Sequence, residues 1–302
     1  MPTAMLGDGA VLANAGGERF MFRYNPGHGE LQIEKARMAQ CIQREIDAGR
    51  GLSDASVLFD TTPMSAERLE SYVSHCKRLR AAGLDPAREG AHVRPAAHSQ
   101  MGGVLIDERT FTGVPGLFAA GEAGGGVHGA SRIAGNGASD VIVFGGVAGE
   151  AAASRRLDLA GRSWQRIHDA AIETVRRAPG GAGAASPAEI KARVCAIMLQ
   201  AAGLFRSEDP LAHGAAQLEE LQKSVDTGLA VTDRGDVVRA LEAANMVLVG
   251  RMIVAAARAR QESRGAHQRT DFPLSDDANW LRHTGIHRNA VGAMMLESVP
   301  IR

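Results

Sequence analysis

A glycine-rich stretch in the middle of the chain carries residue types that could hold a redox cofactor. Gly121 and Glu122 follow an apolar run that predicts a strand, and a carboxylate at a strand's carboxyl end can reach ribityl or ribose hydroxyls. The run Gly135–Ser139 then opens an apolar helix. The first amides of a helix lack intrahelical acceptors, and its dipole is positive at that end, so this turn favours an anionic group such as a reduced flavin ring. An ordinary glycine-rich helix start has the same pattern and remains an alternative.

Two imidazoles and one guanidinium accompany this stretch. His98, His128 and Arg132 all lie in glycine-rich surroundings. A planar guanidinium binds a carboxylate through two parallel hydrogen bonds, and histidines can add further donors. A single histidine is more often a structural residue, but three such groups together favour a site for a small carboxylate substrate.

Composition narrows the class of protein. The 302 residues contain 34 Lys+Arg and 34 Asp+Glu, and this balance argues against a nucleic-acid partner. No basic segment followed by a long apolar run opens the chain, and the apolar stretch Met246–Ala257 is short and interrupted by Arg251. We therefore expect a cytoplasmic protein without a transmembrane segment. The three cysteines lack CxxC spacing, which predicts reduced thiols, no disulfide framework and no metal site: Cys41, Cys76 and Cys195.

The first hundred residues predict a mixture of strand and helix. Val11–Asn14 and Arg19–Phe22 predict a hairpin, with Gly16 and Gly17 in its turn. Glu30–Ala48 has the apolar spacing of a helix. Two further elements are predicted in this part: a strand at Val57–Phe59, and a helix that Ser65 caps and that ends at Gly83.

The middle and end of the chain predict further elements. Val104–Ile106 and Leu117–Ala120 predict strands, and Ala138–Ala153 predicts a helix that is apolar nearly all round and therefore buried. A loop or linker is expected over Arg177–Pro187. The segments after it predict an antiparallel helical bundle and then an extended tail: a helix from Pro187, one around Leu218 and Leu221, one over Val237–Arg260, and the tail from Thr270.

Several segments together resemble one family. PAAHSQMGGV, VPGLFAAGEAGGGVHGASRIAGN and VFGGVAG are similar to the flavoprotein subunits of succinate dehydrogenase and fumarate reductase and to L-aspartate oxidase. GAVLANAGGERFMFRYNP resembles the hairpin of that family's capping domain, and ESRGAHQRTDFPLSDDANWLRHT resembles its C-terminal helical domain. The resemblance implies an α+β fold in three parts: a partial capping domain over 1–97, the C-terminal part of an FAD-binding α/β domain over 98–155, and a helical domain with an extended tail over 156–302.

The resemblance implies FAD as the cofactor and hydride transfer between a carboxylate substrate and the flavin. It implies that His98 and Arg132 bind substrate carboxylate and that His128 belongs to the same site. The residues it places against the flavin are these: Gly121 and Glu122 beside the ribityl or ribose, and Asn136, Gly137, Ala138 and Ser139 against the ring.

Two departures from the family pattern qualify this interpretation. The family's succession of strand, GxGxxG turn and helix that holds the FAD pyrophosphate is not found here; Gly124–Gly129 has that glycine spacing but matches the family's later, ring-side segment. We therefore expect the chain to work with a separate N-terminal FAD-binding polypeptide or a full-length flavoprotein. In addition, Glu34 stands where the family has its proton-transferring arginine, and a carboxylate there would repel a dicarboxylate substrate. Arg37, one turn further on, is a weaker candidate for that role. The alternatives are a non-catalytic accessory chain and a truncated remnant of such a flavoprotein.

The polar residues near the end of the chain have a structural interpretation that we prefer. We expect them to form a network that anchors the tail: Arg264, His267, Arg269 and Asp271. Glu18 and Arg19 are expected to hold the first hairpin, and Trp280 is expected to pack against the tail.

Overall fold

The described part of the chain combines helices with short strands, which confirms the α+β class and the helical C-terminal region. The computed structural model describes residues 3–133, 135–155, 165–166, 168–169 and 184–301. The chain divides into two compact units, residues 1–99 and residues 100–302. The division into three domains, with a boundary at 155, remains a prediction.

An antiparallel three-stranded sheet forms the centre of the first unit. Its strands follow the order β1 (Val11–Ala13), β2 (Val57–Asp60) and β3 (Ala91–Val93). Leu12 lies opposite Phe59 in the register, and both side chains are fully buried. The predicted strand at Val57–Phe59 is confirmed.

The hairpin predicted at the start of the chain is wrong in its second strand. The turn exists, because Gly17 has a φ of +75° and its amide donates to Asn14 O at 3.0 Å. The following residues form a helical turn, α2 (Met21–Tyr24), and β1 pairs with β2 instead. A helical turn buries the adjacent Phe20 and Met21 together, whereas a strand would send their side chains to opposite faces.

The helix predicted from Glu30 begins later. Glu30 is buried and accepts a hydrogen bond from Leu12 N at 3.0 Å, and Gln32 adopts a φ of +52° that a helix does not allow. The helix α3 therefore spans Lys35–Glu45, and a π-helical turn, Ile46–Arg50, follows it.

The Ser65 helix is divided into two. Ser65 accepts from Arg68 N, so α4 (Ala66–Ser71) is capped as predicted. Tyr72 interrupts the helix, its hydroxyl donates to Asp8 Oδ2 at 2.6 Å, and α5 (Val73–Ala81) continues to the turn at Gly83, whose φ is +85°. A short α1 (Ala4–Gly7) precedes β1.

Cysteine placement agrees with free thiols. Cys41 and Cys76 are buried in the first unit, Cys195 is exposed, and all three are free. Burial raises the pKa of the Cys41 thiol and that of the Cys76 thiol. In the described part of the chain, no group of three or more His, Cys, Asp or Glu side chains is placed to hold a metal ion.

The glycine-rich stretch folds around a two-stranded parallel sheet and one long helix. β4 (Val104–Leu105) pairs with β5 (Gly124–Gly125), which directly follows the 3₁₀ turn Gly121–Ala123. The predicted strand at Leu117–Ala120 is wrong, since Phe118 makes only an isolated bridge to Phe111. The helix α6 spans Asn136–Ser154.

The position of α6 was predicted correctly but its burial was not. Only Asp140 and Ala151 are buried along the helix. Val141, Ile142 and Val143 expose 56%, 75% and 58% of their surface. The apolar sequence of α6 indicates that this face of the helix is suited to burial. The described part of the chain leaves it exposed.

Three long helices form the bundle of the second unit: α7 (Pro187–Ala201), α8 (Glu208–Thr227) and α9 (Arg234–Ala259). Ser186 and Glu189 form a capping box in front of α7, which confirms the predicted start at Pro187. Buried Ile190, Leu218 and Val247 belong to the core among the three helices. Of the predicted linker, residues 177–183 lie outside the described residues.

One helix of the described residues, Gly235–Ala259, is long and apolar enough to cross a membrane by length and composition alone. A third of its most apolar stretch is buried, and α9 contributes Ala243, Val247 and Val254 to the bundle core. The absence of a transmembrane segment and the cytoplasmic location remain predictions.

Near its end, the predicted extended tail forms a β-hairpin. After α10 (Asp277–Trp280), β6 (Arg282–Arg288) pairs antiparallel with β7 (Met294–Pro300). The guanidinium of Arg260 lies 5.5 Å from the centre of the Trp280 ring and donates to Arg282 O, so Trp280 helps to join the tail to the end of α9.

A buried carboxylate connects four segments of the first unit. Glu45 is fully buried and accepts hydrogen bonds from Asn14, Arg23, Tyr24 and Arg50. Burial acts to raise the pKa of this carboxyl, but the hydrogen bonds from Arg50, Asn14 and Tyr24 and the charge of Arg23 outweigh it, and the pKa falls from 4.5 to about 2.

We predict that Glu45→Gln lowers the free energy of unfolding of the first unit by about 2–4 kcal/mol at pH 7, because it removes a buried charge from its partners. The depressed pKa means that this contribution is fully present above pH 4.5 and is lost as the pH falls toward 2. Native-state hydrogen exchange in β1 and β2 should show the gap to wild type closing over that range. The exposed Glu67→Gln is the control, and a pH-independent gap would contradict the assignment.

Candidate functional site

The N-terminal turn of α6 is exposed and set by a glycine. Gly135 has a φ of +82°, in the left-handed region, and leads directly into the helix. Asn136 N donates to Ile133 O at 3.1 Å, and the residues that follow begin the helical ladder. Amides in the first turn of a helix have no intrahelical acceptor, so this turn can receive an anionic or polar ligand group. Asn136, Ala138 and Ser139 are exposed there.

Arg132 lies over this turn. A Cβ added to Gly137 would sit 3.3 Å from Nη1 and 3.4 Å from Cζ of the Arg132 guanidinium. The same side chain is half-buried, and its Nη1 donates weakly to Ile133 O at 3.4 Å. The absence of a side chain at Gly137 therefore gives the guanidinium its place above the first turn of α6.

His128 contacts the next turn of the same helix. Its Nε2 lies 3.1 Å from Oδ2 of Asp140, and the two side chains expose only 10% and 5% of their surface. The other carboxylate oxygen, Asp140 Oδ1, is buried without a hydrogen-bond partner in the described part of the chain. The sequence signal for Asp140 was a lone acidic residue in the apolar first half of α6, and it was not recognised as part of the site.

Glu122 lies at the end of the parallel sheet. Its Oε1 accepts a hydrogen bond from Gln100 N at 2.7 Å, and its side chain remains exposed. Gly121 precedes it with a φ of +66°, and a Cβ there would lie 3.3 Å from Cγ2 of Val141. The 3₁₀ turn thus packs directly against α6, so the segment that carries Glu122 lies next to the first turns of the helix.

Two glycines allow the strands of this site to approach closely. A Cβ added to Gly103 would lie 2.4 Å from Ala123 O, and one added to Gly125 would lie 2.9 Å from Gly103 N. Neither position tolerates a side chain without backbone movement. The glycine richness that first pointed to a cofactor is therefore partly a packing requirement.

The loop between His128 and Arg132 is also held by the C-terminal part of the second unit. Ala266 N donates to Ala130 O at 2.9 Å, and a Cβ added to Gly265 would lie 2.5 Å from that same oxygen. Gly265 has a φ of +57°. From the sequence, this region was expected only to support the tail, and its contact with the loop was missed.

A polar network fixes the turn that carries Gly265. Glu262 is fully buried and forms ion pairs with Arg260 and Arg264. Burial acts to raise the pKa of Glu262, but these arginines and the amide of Asp276 lower it to about 2. The network expected from the sequence is present, and it supports the loop as well as the tail.

His267 and Arg269 complete this network. Burial, assisted by neighbouring arginines, lowers the pKa of His267 to about 4, so the ring is neutral at pH 7 and its Nδ1 faces Nη1 of Arg206 at 2.9 Å. The guanidinium of Arg269 is buried, pairs with Asp271 at 2.7 Å, and donates to Ala257 O at 2.8 Å.

The remaining predicted site residues belong to the first unit and are described by themselves. His98 is exposed in an extended segment after β3. Glu34 is exposed at the N-cap of α3 and makes no capping hydrogen bond with its side chain. Arg37, the alternative proton donor, donates to Gln40 Oε1 at 3.3 Å.

Comparison with known proteins agrees with this geometry. Residues 1–138 match the FAD binding domain family, and residues 191–302 match the family described as fumarate reductase flavoprotein C-term. The chain belongs to the fumarate reductase and succinate dehydrogenase flavoprotein family. FAD is the cofactor that this family membership indicates.

Individual relatives of this flavoprotein family show the same relationship. A fumarate reductase (CoM/CoB) polypeptide of Methanothermobacter marburgensis is 34% identical over 290 residues, which cover 94% of this chain and 52% of that protein. The succinate dehydrogenase flavoprotein subunit of Coxiella burnetii is 33% identical over 307 residues, covering 94% and 52%. The chain therefore spans about half the length of the curated relatives it matches.

A solved structure supports the fold. A quinol-fumarate reductase with menaquinol molecules superposes with a TM-score of 0.90 at 28% identity, covering 100% of this chain and 57% of that one. The match extends over both units of this chain, so the short sheets and the three-helix bundle are features of the family fold.

We predict that Gly265→Ala destabilises the second unit by about 2–4 kcal/mol, because it adds a steric conflict with Ala130 to the cost of a positive φ. Gly292→Ala is the matched control: it has a φ of +83° but no heavy atom within 4 Å of the added Cβ. That change should cost only about 1 kcal/mol. Denaturant unfolding followed by tryptophan fluorescence measures both, and equal costs would show that the contact with Ala130 is unimportant.

Proposed function

We propose that this chain supplies the ring-side and carboxylate-binding part of an FAD-dependent oxidoreductase. In the proposed reaction, hydride passes between a small carboxylate substrate and the flavin. The chain would work together with a half that binds the FAD phosphates, whether that half belongs to the same polypeptide or to a separate one. The observation that carries the proposal is that the Arg132 and His128 side chains both contact the first two turns of α6, at Gly137 and Asp140.

Arg132 is the residue proposed to bind the substrate carboxylate. A guanidinium offers a planar pair of donors, and no carboxylate of the described residues forms a salt bridge with it in the structure. Its proximity to the positive end of α6 places two sources of positive potential on one side of the site. Such fixed donors orient the substrate and stabilise the charge that develops on it.

The N-terminal turn of α6 fits the proposed flavin. Its residues are largely exposed and begin with a left-handed glycine, so backbone amides and small side chains are available to a flat ring: Gly135, Asn136, Gly137, Ala138 and Ser139. Gly121 and Glu122 would contact the ribityl or ribose. When bound, the flavin supplies the site for hydride exchange, and the amides of the turn would stabilise negative charge on the reduced ring.

Exposed apolar surface supports a partner half. Ile142 is 75% exposed, and Val104 and Leu105 in β4 expose 48% and 55% of their surface. β4 and β5 form a parallel pair, and parallel sheets in proteins are normally larger and covered on both faces. Additional strands and apolar side chains from the phosphate-binding half would cover this surface.

His98 and Glu34 receive different roles in the proposal. His98 is exposed, and for it we propose the role that the family resemblance implies, binding of a carboxylate. For Glu34 we propose no proton transfer, because an exposed carboxylate would repel a dicarboxylate, and we therefore expect a substrate other than succinate or fumarate. The absence of an arginine at this position also favours the second candidate, a non-catalytic accessory chain.

The proposal is tested by producing the 302-residue chain together with the phosphate-binding half of its Methanothermobacter marburgensis relative. We predict a complex that carries yellow flavin. One member of a panel of small mono- and dicarboxylates should either bleach the oxidised flavin or reoxidise flavin that has first been reduced with dithionite. Arg132→Ala should retain the flavin but slow that change by roughly 10²–10³-fold, because one fixed charge donor is lost. The exposed Arg109→Ala is the matched control and should leave the rate unchanged.

Each result decides between the candidates. A complex with flavin that responds to no carboxylate supports the accessory chain and contradicts the oxidoreductase. The absence of both complex and flavin contradicts the assignment of Gly121–Ser139 to the flavin site. Equal rates for Arg132→Ala and Arg109→Ala would remove Arg132 from the substrate site.

A further inference from the structure

Asp140 is a buried carboxylate to which the proposed function gives no role. Its side chain is 5% exposed, and its salt-bridge partner in the described part of the chain is His128, at 3.1 Å. Its second oxygen, Oδ1, is buried without a hydrogen-bond partner among the described residues. A buried carboxylate is unfavourable unless charged or hydrogen-bonding groups compensate for its lost hydration. An apolar residue would suit this part of α6 better for packing alone, so the carboxylate calls for another explanation.

The position of Asp140 along α6 suggests that explanation. Gly137 and Asp140 are three residues apart and therefore lie on the same side of the helix. The guanidinium of Arg132 lies over Gly137, and the ring of His128 meets Asp140. The Arg132 and His128 side chains of the 128–132 loop therefore contact the same side of α6.

We infer that Asp140 is a positioning residue that fixes the orientation and the tautomer of His128. Oδ2 accepts a hydrogen bond from Nε2–H, which leaves Nδ1 as the ring nitrogen that can meet a ligand. The ligand is a small organic carboxylate, and this part of the inference rests on the proposed function. When the ring is protonated, Nδ1–H donates a hydrogen bond to the ligand, while Nε2–H continues to donate to Asp140 Oδ2.

A merely structural role would require only that Asp140 keep the loop in place. The tautomer of His128 separates the two roles, because a neutral imidazole without a fixed acceptor exchanges its proton between both nitrogens. The measurement uses the ¹⁵N-labelled full chain and two-bond ¹H–¹⁵N spectra of the histidine rings, at a pH where the His128 ring is neutral. His128→Gln identifies the His128 signals among those of the ten histidines.

We predict a single Nε2–H tautomer for His128 in the wild-type chain. In Asp140→Ala the two ring-nitrogen signals should move toward each other as both tautomers become populated. Asp140→Glu restores a carboxylate acceptor and should return the signals toward their wild-type positions. Glu150→Ala removes a charge from an exposed position of the same helix and should change nothing.

Two outcomes would overturn the inference: averaged signals already in the wild type, or an unchanged Nε2–H form in a folded Asp140→Ala chain. If the backbone spectrum shows that Asp140→Ala is unfolded, Asp140→Leu replaces it, because Leu has a similar shape and no acceptor atom, and an unchanged tautomer there overturns the inference equally. The experiment needs neither flavin nor carboxylate. Its failure is therefore distinguishable from a failure of the proposed function, which is read from flavin binding.

Discussion

The contacts of the first two turns of α6 determine the arrangement of the candidate site. Val141 packs against Gly121 and so positions the turn that carries Glu122. Gly137 makes space for Arg132, and Asp140 binds His128. This helix holds the 128–132 loop through Arg132 and His128, and the Arg264–His267 turn holds it through Ala130. A dipole and a set of side chains that bind carboxylate are thereby combined at one helix end.

The same helix exposes a large apolar surface to solvent, which is energetically unfavourable. Its outward residues are apolar and exposed, as are both residues of β4. Exposed apolar surface of this extent favours association, at roughly 25 cal/mol for each Å² that becomes buried. In a protein that spans about half the length of its relatives, this surface is the natural place for the proposed phosphate-binding half. The stability of α6 and the capacity to bind flavin would then depend on the same association.

Features that depend on local chemistry were predictable from the sequence. The cap at Ser65 and the start of the helix at Pro187 are short-range patterns, and both are present. The position of α6 followed from its glycine-rich start and apolar run. The failures depend on tertiary context: Arg19–Phe22 has strand-forming residues, but β1 takes β2 as its partner, and Phe118 finds only a single bridge. The prediction that α6 is buried was wrong. Hydrophobicity indicates which residues favour burial, but it does not show which part of a protein packs against them.

The site itself was only partly predictable. The residue types of Arg132, His128 and Glu122 indicated their chemistry, and the family resemblance gave them proposed roles. Asp140 was missed because no periodicity connects it with His128, 12 residues earlier. Gly265 was missed because its partner, Ala130, is far away in the sequence. Packing of glycine against backbone, as at Gly103, likewise becomes visible only in three dimensions.

If α6 joins the flavin site to the surface that the phosphate-binding half covers, its exposed residues must become protected when that half binds. Amide hydrogen exchange of residues 141–143 detects this protection, measured in the chain alone and in the complex with that half. We predict fast exchange in the isolated chain and a slowing of at least about tenfold in the complex, because covering the helix suppresses its local opening. Unchanged exchange in a flavin-containing complex, or slow exchange already in the isolated chain, would contradict this role of α6.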